Sequence, residues 1–320
     1  MSYFYGWISV SPPVLYHSAH EKDIGIYLPE TPITRFVCYM WHSSAEQIEG
    51  WHRAATSLRP NHTIHHLVND AAICRQLVAR GVPACFVNHN AFIDECRYTI
   101  QPDAEKRFDA VYIARMSRFK RHLLAAEIPR LSIVGGTFSS DDEQSYFDEI
   151  VHQMPNATFS HLADGRFRSP EQIAVLLNQA KVGLCLSACE GAMYACTEYL
   201  LCGLPVVSTV NQGGRDTWLN PGFSRIVADD PAAIASAVAE LASLKLSPAI
   251  VRSETLLQIW EHRRRFFDLG QSIYCTQQIG REFARDFYAI FSDKCGSWKP
   301  PQSAMLYFDD LAQKQLPLFL

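Results

Sequence analysis

Residues 182–209, VGLCLSACEGAMYACTEYLLCGLPVVST, restrict the fold of this chain more than any other stretch. Residues 182–187 are a short apolar run of the kind that forms a fully buried strand. Residues 191–202 read as one helix, closed by Gly203 as its cap with Pro205 just beyond. Residues 206–209 are a second strand. Strand, helix and strand in that order imply a parallel pair with a right-handed crossover. In such sheets ligands sit at the carboxyl ends of the strands.

Two carboxylates stand out in this apolar unit. Glu190 lies in the turn before the helix, and Glu198 is the single charge between Gly191 and Gly203. A buried carboxylate without partners is too costly to keep. Glu198 therefore either points to solvent or receives hydroxyl or amide donors. The paired hydroxyls of a nucleotide ribose would serve, and a helix N-terminus nearby would hold a phosphate.

Glu190 and Glu198, in EGAMYACTE, match the E-x7-E signature of retaining GT-B glycosyltransferases, and the chain most resembles the large family 4. The flanking CGLPVVST and GGRD (residues 213–216) are similar to that family's continuation. The resemblance implies an α/β, GT-B fold, two Rossmann-like domains facing a cleft. By the same resemblance the N-terminal domain is expected to be unusually short, because little precedes its His-bearing strand.

Composition narrows the partners. With 320 residues the chain can bury one large core or two medium ones, and two Rossmann-like halves fit. Charged residues are 19% and the formal net charge is −4, so nucleic acid is not an expected partner. Ten cysteines sit without a CxxC pair and no signal peptide is expected, which points to reduced core thiols in a cytoplasmic protein. No apolar run approaches the roughly 18 residues of a membrane span. The expected location is cytoplasmic, with peripheral contact at the inner membrane face as a further expectation.

Along the chain, residues 4–10 read as a strand, followed by a turn-rich loop, SPPVLYHSAHEKD. Residues 35–41 form a stronger strand ending at His42, and residues 45–58 have helical spacing. Strands at 63–68 and 84–87 flank a helix at 70–80 closed by Gly81. Alternation of this kind indicates a parallel α/β domain. Residues 98–107 read as a linker, and strands follow at 108–114, 131–134 and 157–161. Helices are expected at 170–180, 231–244, 253–269 and 282–292. The division is 1–106 for the acceptor side and 107–280 for the nucleotide-sugar side. Residues 281–320 are expected to pack back on the first domain, as the resemblance implies.

Arg115 and Lys120, five residues apart past a strand, can bind a diphosphate and stabilise its departure. A solvated basic loop is the alternative in isolation, since Arg118 and Arg121 are neighbours. By resemblance Arg115 and Lys120 hold the diphosphate, Glu198 the ribose, and Glu190 the donor sugar's hydroxyls. His42 would orient the sugar or the reacting hydroxyl. Gly135 and Gly136 resemble the family's glycine turn, and Gly191 and Ala192 would let the backbone approach the sugar. The family usually has Gly where this chain has Met193. Base contacts are expected near residues 161–163, centred on Leu162.

His62, His65, His66, Cys74 and Cys85 lack zinc-type spacing, so no metal site is read there. Arg263, Arg264 and Arg265 beside Trp260 and Phe266 could touch a membrane, although a solvated helix face fits better. The reading is a retaining, metal-independent hexosyltransferase with no cofactor beyond its donor, a UDP- or GDP-linked sugar, UDP favoured. The acceptor would be a glycan, lipid-linked or protein hydroxyl, as in bacterial polysaccharide synthesis. A non-catalytic nucleotide-sugar-binding subunit and a nucleotide-sugar epimerase are the alternatives.

Overall fold

In the structure, a computed structural model, residues 3–135, 138, 140–160, 168–295 and 298–315 are described. Two compact units divide the chain: residues 1–93 with 259–320, and residues 94–258.

The first unit opens with β1 (Tyr3–Val10), β2 (Pro13–Ser18), β3 (Thr34–Cys38), α1 (Ala45–Leu58), β4 (Thr63–Val68), α2 (Ala71–Ala79) and β5 (Ala84–Phe86). Strands β2, β3, β4 and β5 are parallel neighbours, and β1 joins β2 antiparallel. Local chemistry sets the helix starts. Ser44 and Gln47 form a reciprocal cap on α1, and Asp70 accepts the amides of Ala72 and Ile73 at 2.7 and 3.0 Å. Strand β2 lies in the stretch expected to be a loop. Its Pro13 stands at the first strand position, where a missing N–H costs no ladder bond. Val14 to Ser18 are all buried.

The second unit carries β6 (Phe108–Ile113), β7 (Leu131–Val134), α3 (Asp141–Gln153), β8 (Thr158–Phe159), α4 (Pro170–Asn178), β9 (Ala180–Cys185), α5 (Tyr194–Leu201), β10 (Val206–Thr209), β11 (Ser224–Val227) and α6 (Pro231–Ser243). Its sheet is parallel throughout, in the order β11-β10-β9-β6-β7-β8. Taken from β6, this is the doubly wound 3-2-1-4-5-6 order, and the winding reverses between β6 and β9. Helix α5 starts three residues later than expected from sequence. Residues 190–191 are instead drawn onto the loop after β10, by Glu190 N–H to Gln212 O (3.0 Å) and Gly214 N–H to Gly191 O (2.9 Å).

Tyr199 of α5 packs against β9 at Gly183, where a Cβ would sit 2.4 Å from its ring. The Tyr199 hydroxyl accepts the Ile113 amide at 2.7 Å, so the ring cannot retreat without breaking that bond. Gly183→Ala is expected to cost about 1–3 kcal/mol through overpacking, read as a lower urea midpoint with unchanged slope.

Helix α7 (Pro248–Thr276) is longer than the expected 253–269, and the boundary between the units falls inside it. The units therefore differ from the division at 106 and 280: a helix in mid-course carries no turn signal to mark the change. After it come α8 (Phe283–Ile290), β12 (Trp298–Lys299) and α9 (Ala304–Gln315). Helix α8 sends Phe283 and Phe287 into one core cluster with Phe4, Tyr16, Phe36 and Phe266, so this segment packs with the first 93 residues.

Candidate functional site

The reversal point of the second sheet gathers the charged side chains. Beyond β6 the chain runs through Arg115 and Ser117 into a single 3-10 turn, Arg118–Lys120. The buried Tyr112 hydroxyl donates to Lys120 O at 2.6 Å, which fixes the end of that turn to the strand. Burial pushes the Tyr112 phenol up, so it stays a neutral donor. The next residue, Arg121, takes a left-handed conformation (φ 55°) and donates to Leu186 O at 2.6 Å, Thr209 Oγ1 at 2.7 Å and Asp229 at 2.6 Å. Arg121 thus ties the segments following β6, β9 and β11 to the last residue of β10.

Arg215 does the same from below. Fully buried, it donates to Ser187 O at 2.7 Å and Thr209 O at 2.6 Å, and meets Asp216 at 3.2 Å. Both arginines spend their donors on backbone and neighbours, so they build the rim. Lys120 and Arg115 are also among the cations there. Lys120 Nζ is paired with the Glu190 carboxylate, and their side chains are only 13% and 6% exposed. Arg115 Nε is paired with Glu143 of α3, whose carboxylate also accepts Ser117 Oγ at 2.8 Å. Arg115 is 54% exposed and Glu143 4%.

Glu198, the fifth residue of α5, is 5% exposed, so it does not face bulk water. Gly191 and Ala192 are buried in the turn before α5. That turn ends at Met193, with φ 56° and no side-chain cap on the helix. A left-handed residue explains why glycine is expected at this position. Methionine there stores about 1–2 kcal/mol of strain. Gly135 follows β7 directly, half-buried, while Gly136 and Leu162 lie outside the described residues.

His42 belongs to the first unit. It lies half-buried in the loop between β3 and α1, because β3 ends at Cys38 and not at the expected residue 41. The basic run of α7 is not wholly solvated. Arg263 is buried and donates to Ala91 O at 2.6 Å and Ile93 O at 2.8 Å, while Arg264 and Arg265 pair with Glu261. Among the described residues no His, Cys, Asp and Glu cluster could hold a metal.

Glu143, Arg121 and Tyr112 were not singled out by the sequence. The signal for Glu143 exists, since Ser140-Asp-Asp-Glu143 has capping-box spacing. It points to a helix cap and not to Arg115.

The fold is that of the GT-B glycosyltransferases: mixed α/β, with parallel, Rossmann-like sheets. Residues 109–243 match the family model "Glycosyl transferases group 1". The chain is similar to Anabaena Alr3699/HepE, solved in complex with UDP and glucose (TM-score 0.55, 16% identity, 78% of each chain covered). It is also similar to the pneumococcal O-GlcNAc transferase GtfA in complex with UDP and GlcNAc (TM-score 0.52, 15% identity, 72% of this chain and 52% of that one). A third likeness is to an α,α-trehalose-phosphate synthase (UDP-forming) from Burkholderia vietnamiensis (TM-score 0.50, 16% identity, 73% and 63%). No curated protein matches the chain by sequence.

Proposed function

We propose that this chain is a retaining glycosyltransferase that moves a sugar from a nucleotide-sugar, UDP-linked in preference to GDP-linked, to an acceptor hydroxyl. The observation that carries the reading is the pair of cation–carboxylate couples, Lys120–Glu190 and Arg115–Glu143, where the winding of a doubly wound sheet reverses. These residues fall inside the span matched by the glycosyltransferase family model. The solved structures of similar fold that hold UDP with a sugar support the choice of donor.

In this reading Glu198 takes the ribose hydroxyls, and Arg115 and Lys120 take the diphosphate. Glu190 faces the sugar hydroxyls, beside the backbone of Gly191, Ala192 and Gly135, while Gly136 and Leu162 keep the roles expected from the sequence. His42 orients the donor sugar or the reacting hydroxyl. The bond from the anomeric carbon to the leaving phosphate oxygen breaks as the acceptor oxygen bonds on the same face. The acceptor's proton passes to the leaving diphosphate. The chain's part is to orient and to stabilise charge. The reaction needs no metal, its acceptor is a glycan, lipid-linked or protein hydroxyl, and it takes place in the cytoplasm or at the inner membrane face.

A thermal-shift panel of UDP, GDP, ADP and CMP with their sugars tests the donor. Selective binding raises apparent stability, by about 2.7 kcal/mol at a hundredfold excess over Kd. Slow donor hydrolysis should follow, persist in EDTA and vanish in Glu190→Ala, and NMR of transferred product should show the donor's anomeric configuration. Two observations favour a non-catalytic nucleotide-sugar-binding subunit: both cations are already matched by carboxylates, and Met193, at φ 56°, stands where the resemblance leads one to expect glycine. Selective binding with no hydrolysis would decide for it.

A further inference from the structure

Three helices of this chain start with the same arithmetic, a serine followed three residues later by Gln or Glu. In α1 and α4 the side chain reaches back to the capping serine's amide, Gln47 to Ser44 at 2.8 Å and Gln172 to Ser169 at 2.9 Å. In α3 the first half of the box is present, with Glu143 N–H donating to Ser140 Oγ at 3.3 Å. The second half is not: the Glu143 carboxylate turns to Arg115 Nε and Ser117 Oγ.

That turn has an uneven outcome. The acid is buried, while its cation stays more than half exposed. Neighbouring Arg118 shows the contrast, since the acids it pairs with, Asp142 and Glu149, are 71% and 34% exposed where Glu143 is 4%, and pairs open to water do little to fix a side chain. A buried carboxylate that accepts from Arg115 Nε and Ser117 Oγ is a rigid anchor. It grips Arg115 at Nε, near the root of the guanidinium, directly past the end of β6. Both donors, Arg115 and Ser117, come from the segment that continues to Lys120.

We propose that Glu143, seconded by Ser117, is the positioning residue of the diphosphate site: it aims Arg115 at the phosphates without touching them. The inference rests on the nucleotide-sugar reading above and adds a residue to it.

Calorimetric titration of UDP, with GDP as second probe and uridine as control, tests it on four proteins: unmodified, Glu143→Gln, Arg115→Ala and the double variant. Gln keeps the volume and one acceptor but drops the charge that orders the guanidinium. Glu143→Gln should weaken UDP about tenfold, as expected for a charge-assisted bond, and leave uridine unchanged. In the Arg115→Ala background it should add nothing, because its effect passes through Arg115. Equal or tighter UDP binding by Glu143→Gln would overturn the proposal, as would an equal loss for uridine or a fully additive double variant. Should Glu143→Gln not fold, Ser117→Ala removes the second donor, and a UDP affinity equal to that of the unmodified chain would likewise overturn it. If the unmodified chain binds neither UDP nor GDP, the nucleotide-sugar reading falls and this one with it. Normal binding with an indifferent Glu143→Gln defeats this one alone.

Discussion

Lys120→Met should lower donor hydrolysis and transfer by about 10²–10³-fold, the usual loss when one preorganised donor to a developing charge is removed. The same change should cost about 3 kcal/mol of stability, because it strands the buried Glu190 carboxylate without its cation. These two losses have separate causes, and a second substitution divides them. Lys120→Met with Glu190→Gln leaves no buried charge, so most of the stability returns while turnover does not. Urea melts read the first quantity and donor hydrolysis the second. Recovery of turnover in the double variant would mean that the pair is structural and that Lys120 takes no part in the chemistry.

Acid should unfold the chain early. His17, His89 and His262 are buried, with their pKa lowered by burial to about 3, about 4 and about 4. His17 shows how firmly neutrality is built in. Arg35 donates to its Nε2 at 3.2 and 3.1 Å, and a guanidinium can only donate, so the ring proton sits on Nδ1 facing Ser18 O at 2.9 Å. Asp23, paired with Arg35, offsets the repulsion in part. A lowered histidine pKa means that the unfolded chain binds protons below about 6.5 while the folded chain does not. Stability is therefore complete above that pH and is lost as pH falls towards the folded values. At pH 5 each of the three costs about 2 kcal/mol, together a fall in Tm on the order of 10 °C from its value at pH 7. His66, with Tyr39 and His52 on its two ring nitrogens, is lowered by burial in the same direction. A flat Tm between pH 7 and 5 would contradict this account.

The sequence was most legible where a boundary is written in a few adjacent residues. Helix α1 and strand β4 fall on the expected 45–58 and 63–68, since a cap or a change of period marks their ends. It was least legible where an end is decided by a distant partner. Strand β2 hides behind two prolines and ends in His17-Ser18, which read as a turn until Arg35 and the neighbouring strands are in place. Helix α5 loses its first turn to the loop after β10, some twenty residues further on. In the site, Glu190 and Lys120 were visible, but that they neutralise each other was not. Arg215 shows the same limit. The GGRD run drew notice, yet nothing local says that its guanidinium is the buried tie of two strand ends.

The interrupted first unit has a consequence for biosynthesis. One face of its sheet is covered by Phe266, Tyr274, Phe283, Phe287 and Phe291, whose partners Phe4, Tyr16, Phe36 and Leu67 are translated long before them. While residues 94–258 leave the ribosome, those early aromatics lack the five rings that later cover them, whereas the inserted segment carries every strand of its own sheet. The middle of the message is thus the part that can mature first, and the amino-terminal sheet must wait, greasy side open, for residues 259–320 to arrive.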